Sequence, residues 1–301
     1  MICTEMTFVA EAFDLRPLKI VAVLMLSWAA AAVSADRSKL TADQGRALER
    51  ARAAALAYTV NLPNFICTQI THRESQDQVN FGTSFNSAGS SRGGGGLPGA
   101  SRAPGGMHDV IEERLTFFEQ MEHYEVIAVN GKKAAGQKHM QFAGAISAGE
   151  FGSALRNLFD SRSHAEFWWE KATNLNNRSV DVFKFHVPSQ NGTIVMDRDT
   201  DQKILVASTG RLFVDSKTFE VVRINSTLEL PVDFPIKMAT IEVTYRPVEI
   251  AGKTYNLPSD SEVRMKDSKR LYVNRIQFRY YHKFAVESTI HYDGQTAAPN
   301  P

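Results

Sequence analysis

Two glycine-rich motifs have residue spacings that are found in catalytic or nucleotide-binding loops. Gly89-Ser-Ser91-Arg-Gly93 has the spacing of a nucleophile elbow, in which a strained strand-to-helix turn exposes the serine. Gly94-Gly-Gly96-Leu-Pro-Gly99 has the spacing of a dinucleotide-binding loop. Both patterns fall in a stretch rich in Gly and Ser, where such spacings arise from composition alone. We therefore interpret neither pattern as a functional site.

Metal-ligating residue types occur without the spacing that metal sites need. His164-Ala-Glu166 has the spacing of the ligand and proton shuttle of zinc deaminases, but the sequence lacks their Pro-Cys-x-x-Cys pair. It contains no His-Glu-x-x-His motif either. Other histidines are scattered through predicted strands and turns: His72, His123, His139 and His282. We expect no metal site and no cofactor.

The acidic residues also fail to form a recognisable centre. Asp197-Arg-Asp199-Thr-Asp201 begins like a calcium loop, but Gln202 occupies the position that requires Gly and Ser208 the position that requires Glu. A solvated turn is the better interpretation. No pair of strand carboxylates stands out as a glycosidase dyad. The sequence therefore predicts no enzymatic activity, and a hydrolase with residues that converge only in the folded chain is an alternative.

Aromatic side chains at alternate strand positions indicate a binding surface instead. Residues two apart lie on one face of a strand, so these side chains are predicted to line the concave face of one sheet. The candidate ligand-binding residues are Phe167, Trp169, Phe183, Phe185, Phe278, Tyr280, Phe284 and Tyr292. They line either an apolar cavity or a filled core beneath helices. Enclosing ten methylenes in a cavity is worth about 8 kcal/mol before entropy costs.

Two helices are predicted among the elements that position these residues. Thr41-Ala-Asp-Gln44 is a capping box at the start of an amphipathic helix over 42–60. Ser147-Ala-Gly-Glu150 is a second capping box, opening a short helix that ends at Phe159. We expect the apolar face of each helix to pack on a sheet.

About ten strands joined by short turns fill most of the remaining chain, with a turn predicted near Gln120 and a tight turn at Asn130-Gly131. Strands linked in this way are antiparallel, and their period-two pattern buries one face. A single sheet this wide must curl or close. The predicted fold class is mainly β (α+β), a strongly curved antiparallel sheet that forms an unclosed barrel covered by two helices.

The chain is predicted to contain one folded domain with flanking and inserted segments. Residues 36–293 form the β half-barrel domain. Within it, the Gly/Ser-rich segment 82–107 is predicted to be a disordered insertion, because more than half of its residues are Gly or Ser and cannot bury enough surface. Residues 294–301 are predicted to be a disordered tail.

Residues 1–35 contain the pattern of a signal peptide. Arg16 and Lys19 precede a mostly apolar run over 20–33, and Val33-Ser34-Ala35 resembles a cleavage site. The run is shorter than the roughly 20 residues that span a bilayer, so we expect cleavage and export to the periplasm or exterior, an uncleaved anchor being the alternative. No later segment is long enough to span a membrane. The acidic first 15 residues suggest that the true start lies downstream.

The balance of charged residues indicates which partners the protein can bind. The chain has 34 basic and 33 acidic side chains with no basic block, so we expect no nucleic-acid partner.

The cysteine content indicates what stabilises the fold. After cleavage only Cys67 is left, so a hydrophobic core and not a disulfide must stabilise the fold. Cys67 is interpreted as a small buried hydrophobe, with a reactive thiol as the alternative.

The layout resembles the LolA-like superfamily of periplasmic lipoprotein carriers and outer-membrane lipoprotein-sorting proteins. Within it, the chain looks most like exported bacterial proteins of unassigned role. The stretches that carry the resemblance are LPNFICTQITHRE (62–74), GEFGSALRNLFD (149–160), SHAEFWWE (163–170), VDFPI (232–236) and VEIAGKTYNLPSDSEVRM (248–265). The resemblance implies an unclosed barrel that binds lipid or lipoprotein acyl chains without enzymatic activity. No ligand-contact residue of that family is carried over.

The leading functional hypothesis is therefore a periplasmic carrier or sensor of a hydrophobic ligand. Its partner would be a lipid or a lipoprotein acyl chain, with a protein of the envelope as a further possibility. The alternatives are an envelope interaction module with a filled core and no ligand, or a hydrolase with an unrecognised active site.

Overall fold

The computed structural model describes residues 40–77, 106, 108–134, 151, 153–197 and 202–284. The predicted signal peptide, the second capping box and the tail lie outside these residues. So does the predicted insertion, apart from Gly106, together with both glycine-rich motifs.

Two α-helices are present in the described part of the chain: α1 (Ala42–Asn61) and α2 (Ser153–Phe159). The predicted capping box of α1 is confirmed. The Thr41 amide donates to Gln44 Oε1 at 2.9 Å, and the Gln44 amide donates to Thr41 Oγ1 at 3.3 Å. Both amides would otherwise lack a partner in the first turn, so the box fixes where α1 begins.

Thirteen strands account for most of the described residues. They are β1 (Phe65–Asp77), β2 (His108–Phe118), β3 (Met121–Val129), β4 (Lys132–Lys133), β5 (Glu166–Leu175), β6 (Arg178–Val187), β7 (Thr193–Asp197), β8 (Gln202–Val206), β9 (Ser208–Asp215), β10 (Val221–Leu228), β11 (Met238–Ile250), β12 (Lys253–Lys266) and β13 (Arg270–Lys283).

Eleven of these strands form one antiparallel sheet in the order β4-β3-β2-β1-β13-β12-β11-β10-β9-β6-β5. The strands β7 and β8 pair only with each other in the described chain. The sheet has β4 at one edge and β5 at the other, so it is not closed into a barrel. The predicted fold class is confirmed: the chain is mainly β, with a large open antiparallel sheet and two helices.

Tight hairpin loops set the register of several strand pairs. Four two-residue loops have both residues at positive φ, as type I′ turns require: Glu119–Gln120, Asn130–Gly131, Asn176–Asn177 and Ala251–Gly252. This turn type matches the right-handed twist of the flanking strands. The predicted Asn-Gly turn is among the four, and so is the turn predicted near Gln120.

The inner face of the sheet, which is the face that carries the helices, holds two hydrophobic clusters. The first cluster joins both helices to β6 and β9–β11: Ala47, Leu48, Ala51, Ala55, Leu155, Leu158, Phe159, Phe183, Phe185, Val187, Leu212, Val214, Val221, Ile224, Val243 and Tyr245. The second cluster is built mainly on β1, β2 and β11–β13: Phe65, Cys67, Leu115, Phe117, Phe151, Ile250, Leu257, Val263, Ile276 and Phe278. Ile241 packs against both clusters.

Gly210 is required by the packing of the first cluster, and its replacement tests that packing. A Cβ at this position would lie 2.1 Å from the Asn225 carbonyl oxygen and 2.4 Å from Cζ of Phe185. We expect Gly210→Ala to lower the free energy of unfolding by about 1–3 kcal/mol, because a buried ring and a strand backbone must both move. Urea unfolding measures the change.

Gly45→Ala is the matched control for that substitution. A Cβ on Gly45 in α1 meets nothing within 4 Å. Since Ala is the better helix former, the control is expected to gain about 0.5–1 kcal/mol. A Gly210→Ala protein as stable as the unsubstituted chain would contradict the described contact between Phe185 and β9.

Candidate functional site

The inner face of β1 changes from apolar to polar along the strand. Phe65, Cys67, Gln69, Thr71 and Arg73 alternate with less buried residues and are all buried on this face. Antiparallel pairing places each of them beside residues of the neighbouring strands β2 and β13. The inner face near β1 therefore has an apolar end and a polar end.

Four of the predicted ligand-binding residues lie together, beneath the helices. Phe183 and Phe185 are buried in the first cluster, and Phe167 and Trp169 pack against it. Phe159 of α2 stacks on Phe167 with ring centroids 5.4 Å apart and an interplanar angle of 10°. In the described chain these rings pack against helix side chains, as the filled-core alternative expects.

Phe278 lies in the second cluster, and the prediction that Tyr280 shares its face is wrong. Tyr280 is 76% exposed. Ile66 pairs with His282 and Thr68 with Arg279, so Tyr280 and Tyr281 together oppose the single residue Cys67. This is a β-bulge, and the positive φ of Tyr280 (57°) takes the extra residue out of the ladder.

Tyr281 occupies the inward position that the pattern assigned to Tyr280. Its ring centroid lies 5.6 Å from that of Phe65 and 6.1 Å from that of Phe151. Its hydroxyl donates to the Pro258 carbonyl oxygen. The bulge therefore turns Tyr281, and not Tyr280, toward the second cluster.

Phe284 joins neither cluster in the described chain. Phe284 makes an edge contact with Phe118, with ring centroids 5.6 Å apart. Tyr292 lies outside the described residues. The seven predicted side chains that the structure describes therefore do not form one continuous lining.

Stacked aromatic rings form the centre of the second cluster. Phe65 stacks on Phe117 at 5.2 Å. Phe151, which precedes α2, contacts Phe65 at 5.3 Å and Phe278 at 4.9 Å. The partly buried side chains that surround these rings are mostly tyrosines and aliphatic residues: Tyr58, Leu62, Tyr124, Ile241, Val248, Tyr255, Met265, Tyr272 and Tyr281. We call this set the aromatic rim.

Helix coverage differs between the two halves of the inner face. Side chains from both helices lie in the first cluster. In the described chain, the second cluster is contacted from α1 and α2 only near their ends, by Tyr58 and Leu62 and by Phe151 just before α2. The second cluster is therefore the half of the sheet on which apolar side chains are only partly covered by the described helices.

Three buried polar groups belong to the second cluster or its rim, and one of them, Tyr58, lies where the two clusters meet. The Tyr58 ring, near the end of α1, meets the Tyr245 ring edge-on with centroids 6.4 Å apart. Burial raises the pKa of the Cys67 thiol well above its ordinary value, and the Glu122 carboxylate adds to the shift. Burial likewise raises the pKa of the Tyr58 and Tyr281 hydroxyls. All three groups are therefore protonated hydrogen-bond donors at neutral pH. The expected burial of Cys67 is confirmed, with 1% of the residue exposed.

Glu122 fixes the position of Phe151 above the second cluster. Its Oε1 accepts from the Phe151 amide at 3.2 Å, and its Oε2 accepts from the Tyr124 hydroxyl. Because both carboxylate oxygens are engaged, Glu122 links β3 to the chain that leads into α2.

Buried polar side chains form the opposite end of the inner face, which the aromatic pattern did not predict. Gln69 Nε2 donates to Glu113 Oε2 at 2.9 Å. The Arg73 guanidinium donates to both oxygens of Asp109, each at 2.7 Å. The alternation of polar residues in TQITHRES along β1 was the available signal for this end. The second cluster thus continues into a fixed polar network on the same strands.

The motifs considered for metal chemistry bring no ligands together in the described chain. His164 and Glu166 are both exposed, and Asp197 is the last described residue of its acidic run. Among the described residues, no group of three or more His, Cys, Asp or Glu side chains has the arrangement of a metal site. Neither described helix has both the length and the apolar composition needed to cross a membrane.

Comparison with solved structures finds similarity to proteins of the kind expected from the sequence. A LolA superfamily protein from Nitrosomonas europaea is 11% identical, with a TM-score of 0.29, over 81% of this chain and 94% of that one. An outer-membrane lipoprotein-sorting protein domain from Vibrio parahaemolyticus is 8% identical, with a TM-score of 0.34, over 79% and 92%. A DUF1329 family protein from Desulfovibrio piger is 9% identical, with a TM-score of 0.35, over 80% and 94%.

The resemblance stated from the sequence is thus confirmed as a similarity to these structures. No family model and no curated protein matches the chain. At these identities and TM-scores the similarity carries no conclusion about ligand or activity, so the function is argued from the chain's own side chains.

Proposed function

We propose that this protein is an exported carrier or sensor that binds a hydrophobic ligand, a lipid or a lipoprotein acyl chain, without catalysing a reaction. The observation that supports the proposal is the aromatic rim of partly buried side chains around the second cluster. Partly buried aromatic rings gain contact area when an apolar chain covers them, and each buried CH₂ contributes about 0.8 kcal/mol. The ligand would lie against this rim.

An envelope interaction module without a ligand is the second candidate. Phe151 favours it, because its ring already packs on Phe65, Phe278 and Tyr281. The two candidates differ in what occupies the rim. A carrier takes up free lipid, whereas an interaction module does not.

Native mass spectrometry of the protein purified from the cell envelope tests the proposal directly. We expect adducts with lipid masses that are lost on delipidation. The delipidated protein is expected to bind the apolar dye N-phenyl-1-naphthylamine with a rise in dye fluorescence. A protein that carries no lipid and takes up no dye would refute the carrier and favour the interaction module.

A charge placed in the rim is expected to abolish that binding. Met265 belongs to the rim and Tyr280 points to solvent. Because an unpaired buried charge is costly, we expect Met265→Glu to weaken dye binding at least about tenfold. Tyr280→Glu is the control and should bind as the unsubstituted protein does. Equal binding by both variants would place the dye elsewhere on the molecule.

A further inference from the structure

The two buried tyrosine hydroxyls beside the second cluster differ in their hydrogen bonding. The Tyr281 hydroxyl donates to the Pro258 carbonyl oxygen. The Tyr58 hydroxyl is buried and has no hydrogen-bond partner in the described part of the chain. Leaving a buried hydroxyl without a partner is unfavourable, so its position calls for an acceptor.

Tyr58 is placed where a ligand on the rim would end. Its ring belongs to the rim of the second cluster and meets Tyr245 of the first cluster edge-on. An apolar chain that lies along the rim toward α1 therefore reaches the first cluster at Tyr58, where Ala51 and Ala55 of α1 are buried. The chemical group at that end of the ligand would face the hydroxyl of Tyr58.

We propose that the Tyr58 hydroxyl recognises a neutral carbonyl group, such as that of an acyl ester, in a ligand whose chain lies on the aromatic rim. This inference rests on the proposed function and names the ligand's polar group. A phenol hydroxyl is a good donor to a carbonyl oxygen, and its elevated pKa keeps the proton on it in neutral and mildly alkaline solution.

The charges near Tyr58 favour a neutral acceptor over a carboxylate. The charged side chains that act on its hydroxyl belong to Glu122 and Glu220, and both are acidic. A ligand carboxylate would be repelled by these groups and would also lose its hydration on burial. An ester carbonyl accepts the same hydrogen bond without either cost.

Three ligands of matched length test the inference: methyl decanoate, decanoate and undecane, each assayed by displacement of N-phenyl-1-naphthylamine. We expect the unsubstituted protein to bind the ester more tightly than the carboxylate. In Tyr58→Phe we expect the affinity for the ester to fall about fivefold, because one buried hydrogen bond is lost, while undecane binding stays within about twofold. Tyr280→Phe, on the solvent side, should change neither.

The outcomes separate this inference from the proposed function. If none of the three ligands displaces the dye, the carrier proposal fails and this inference fails with it. If undecane and the ester both bind and Tyr58→Phe weakens them equally or not at all, the carrier proposal stands and the carbonyl contact is refuted. Decanoate binding as tight as ester binding would also refute the preference for a neutral acceptor. Circular dichroism melting of Tyr58→Phe verifies that the variant is folded.

Discussion

Phe65→Ala is expected to lower the free energy of unfolding by about 3–5 kcal/mol, the range found for truncating a fully buried aromatic side chain. Phe65 has no exposed surface and contacts the rings of Phe117, Phe151 and Tyr281. Removing its ring leaves a cavity beneath Phe151, and the sheet can relax into it only partly. Urea unfolding followed by circular dichroism measures the change.

Phe284→Ala is the control for Phe65→Ala. Its half-buried ring contacts Phe118 at the end of β13, and we expect a loss of about 1 kcal/mol or less. The sequence pattern named Phe284 and not Phe65 as part of the apolar lining, so the pair also tests the structure against that pattern. Comparable losses in the two variants would contradict the described position of Phe65 at the centre of the second cluster.

Local sequence patterns were sufficient to predict the elements and the fold class. The capping box at Thr41, the end of α2 at Phe159 and the Asn130–Gly131 turn each depend on residues close together in the chain. Period-two alternation then identified antiparallel strands, and their number required a wide sheet. These features need no knowledge of which strands become neighbours.

Side-chain orientation was predicted wrongly at the bulge in β13. In β13 the bulge opposite Cys67 sends Tyr280 outward and Tyr281 inward. In β10 a second bulge makes Val222 an extra residue, so that Val221 and Ile224 face the first cluster. Val222 packs with Val180 and Val182 in a separate cluster. A bulge shifts the alternation by one residue, and its position depends on the partner strand, which a single strand sequence does not contain.

The candidate site could not be predicted from local patterns, because contacts between distant parts of the chain form it. The sequence pattern shows Tyr58 only as one more residue on the apolar face of α1, and only the folded chain places it beside Tyr245 and the second cluster. The polar end arises because β1 pairs with β2, which brings Gln69 to Glu113 and Arg73 to Asp109. Alternation in β1 shows that these polar residues share a face, but not that the face is buried.

Alkaline solution is expected to unfold the protein through the same group of buried donors. Burial raises the pKa values of Cys67, Tyr58 and Tyr281 in the folded chain, whereas in the unfolded chain Cys ionises near pH 8.5 and Tyr near pH 10. Above those values the unfolded chain binds fewer protons than the folded chain, so stability falls as pH rises. We expect a loss of about 1.4 kcal/mol per pH unit above pH 8.5, and about 4 kcal/mol per unit once the two tyrosines contribute above pH 10.

Single substitutions show which buried group causes each part of the dependence of stability on pH. Cys67→Ala is expected to remove the decline between pH 8.5 and 10, because no thiol is then left in the described core to ionise on unfolding. Tyr58→Phe is expected to leave that decline in place and to reduce the slope above pH 10 by about a third. Urea unfolding at half-unit steps from pH 7 to 11 measures both. A stability that is constant to pH 10 in the unsubstituted protein, or the same decline in Cys67→Ala, would contradict the burial of the Cys67 thiol in the second cluster.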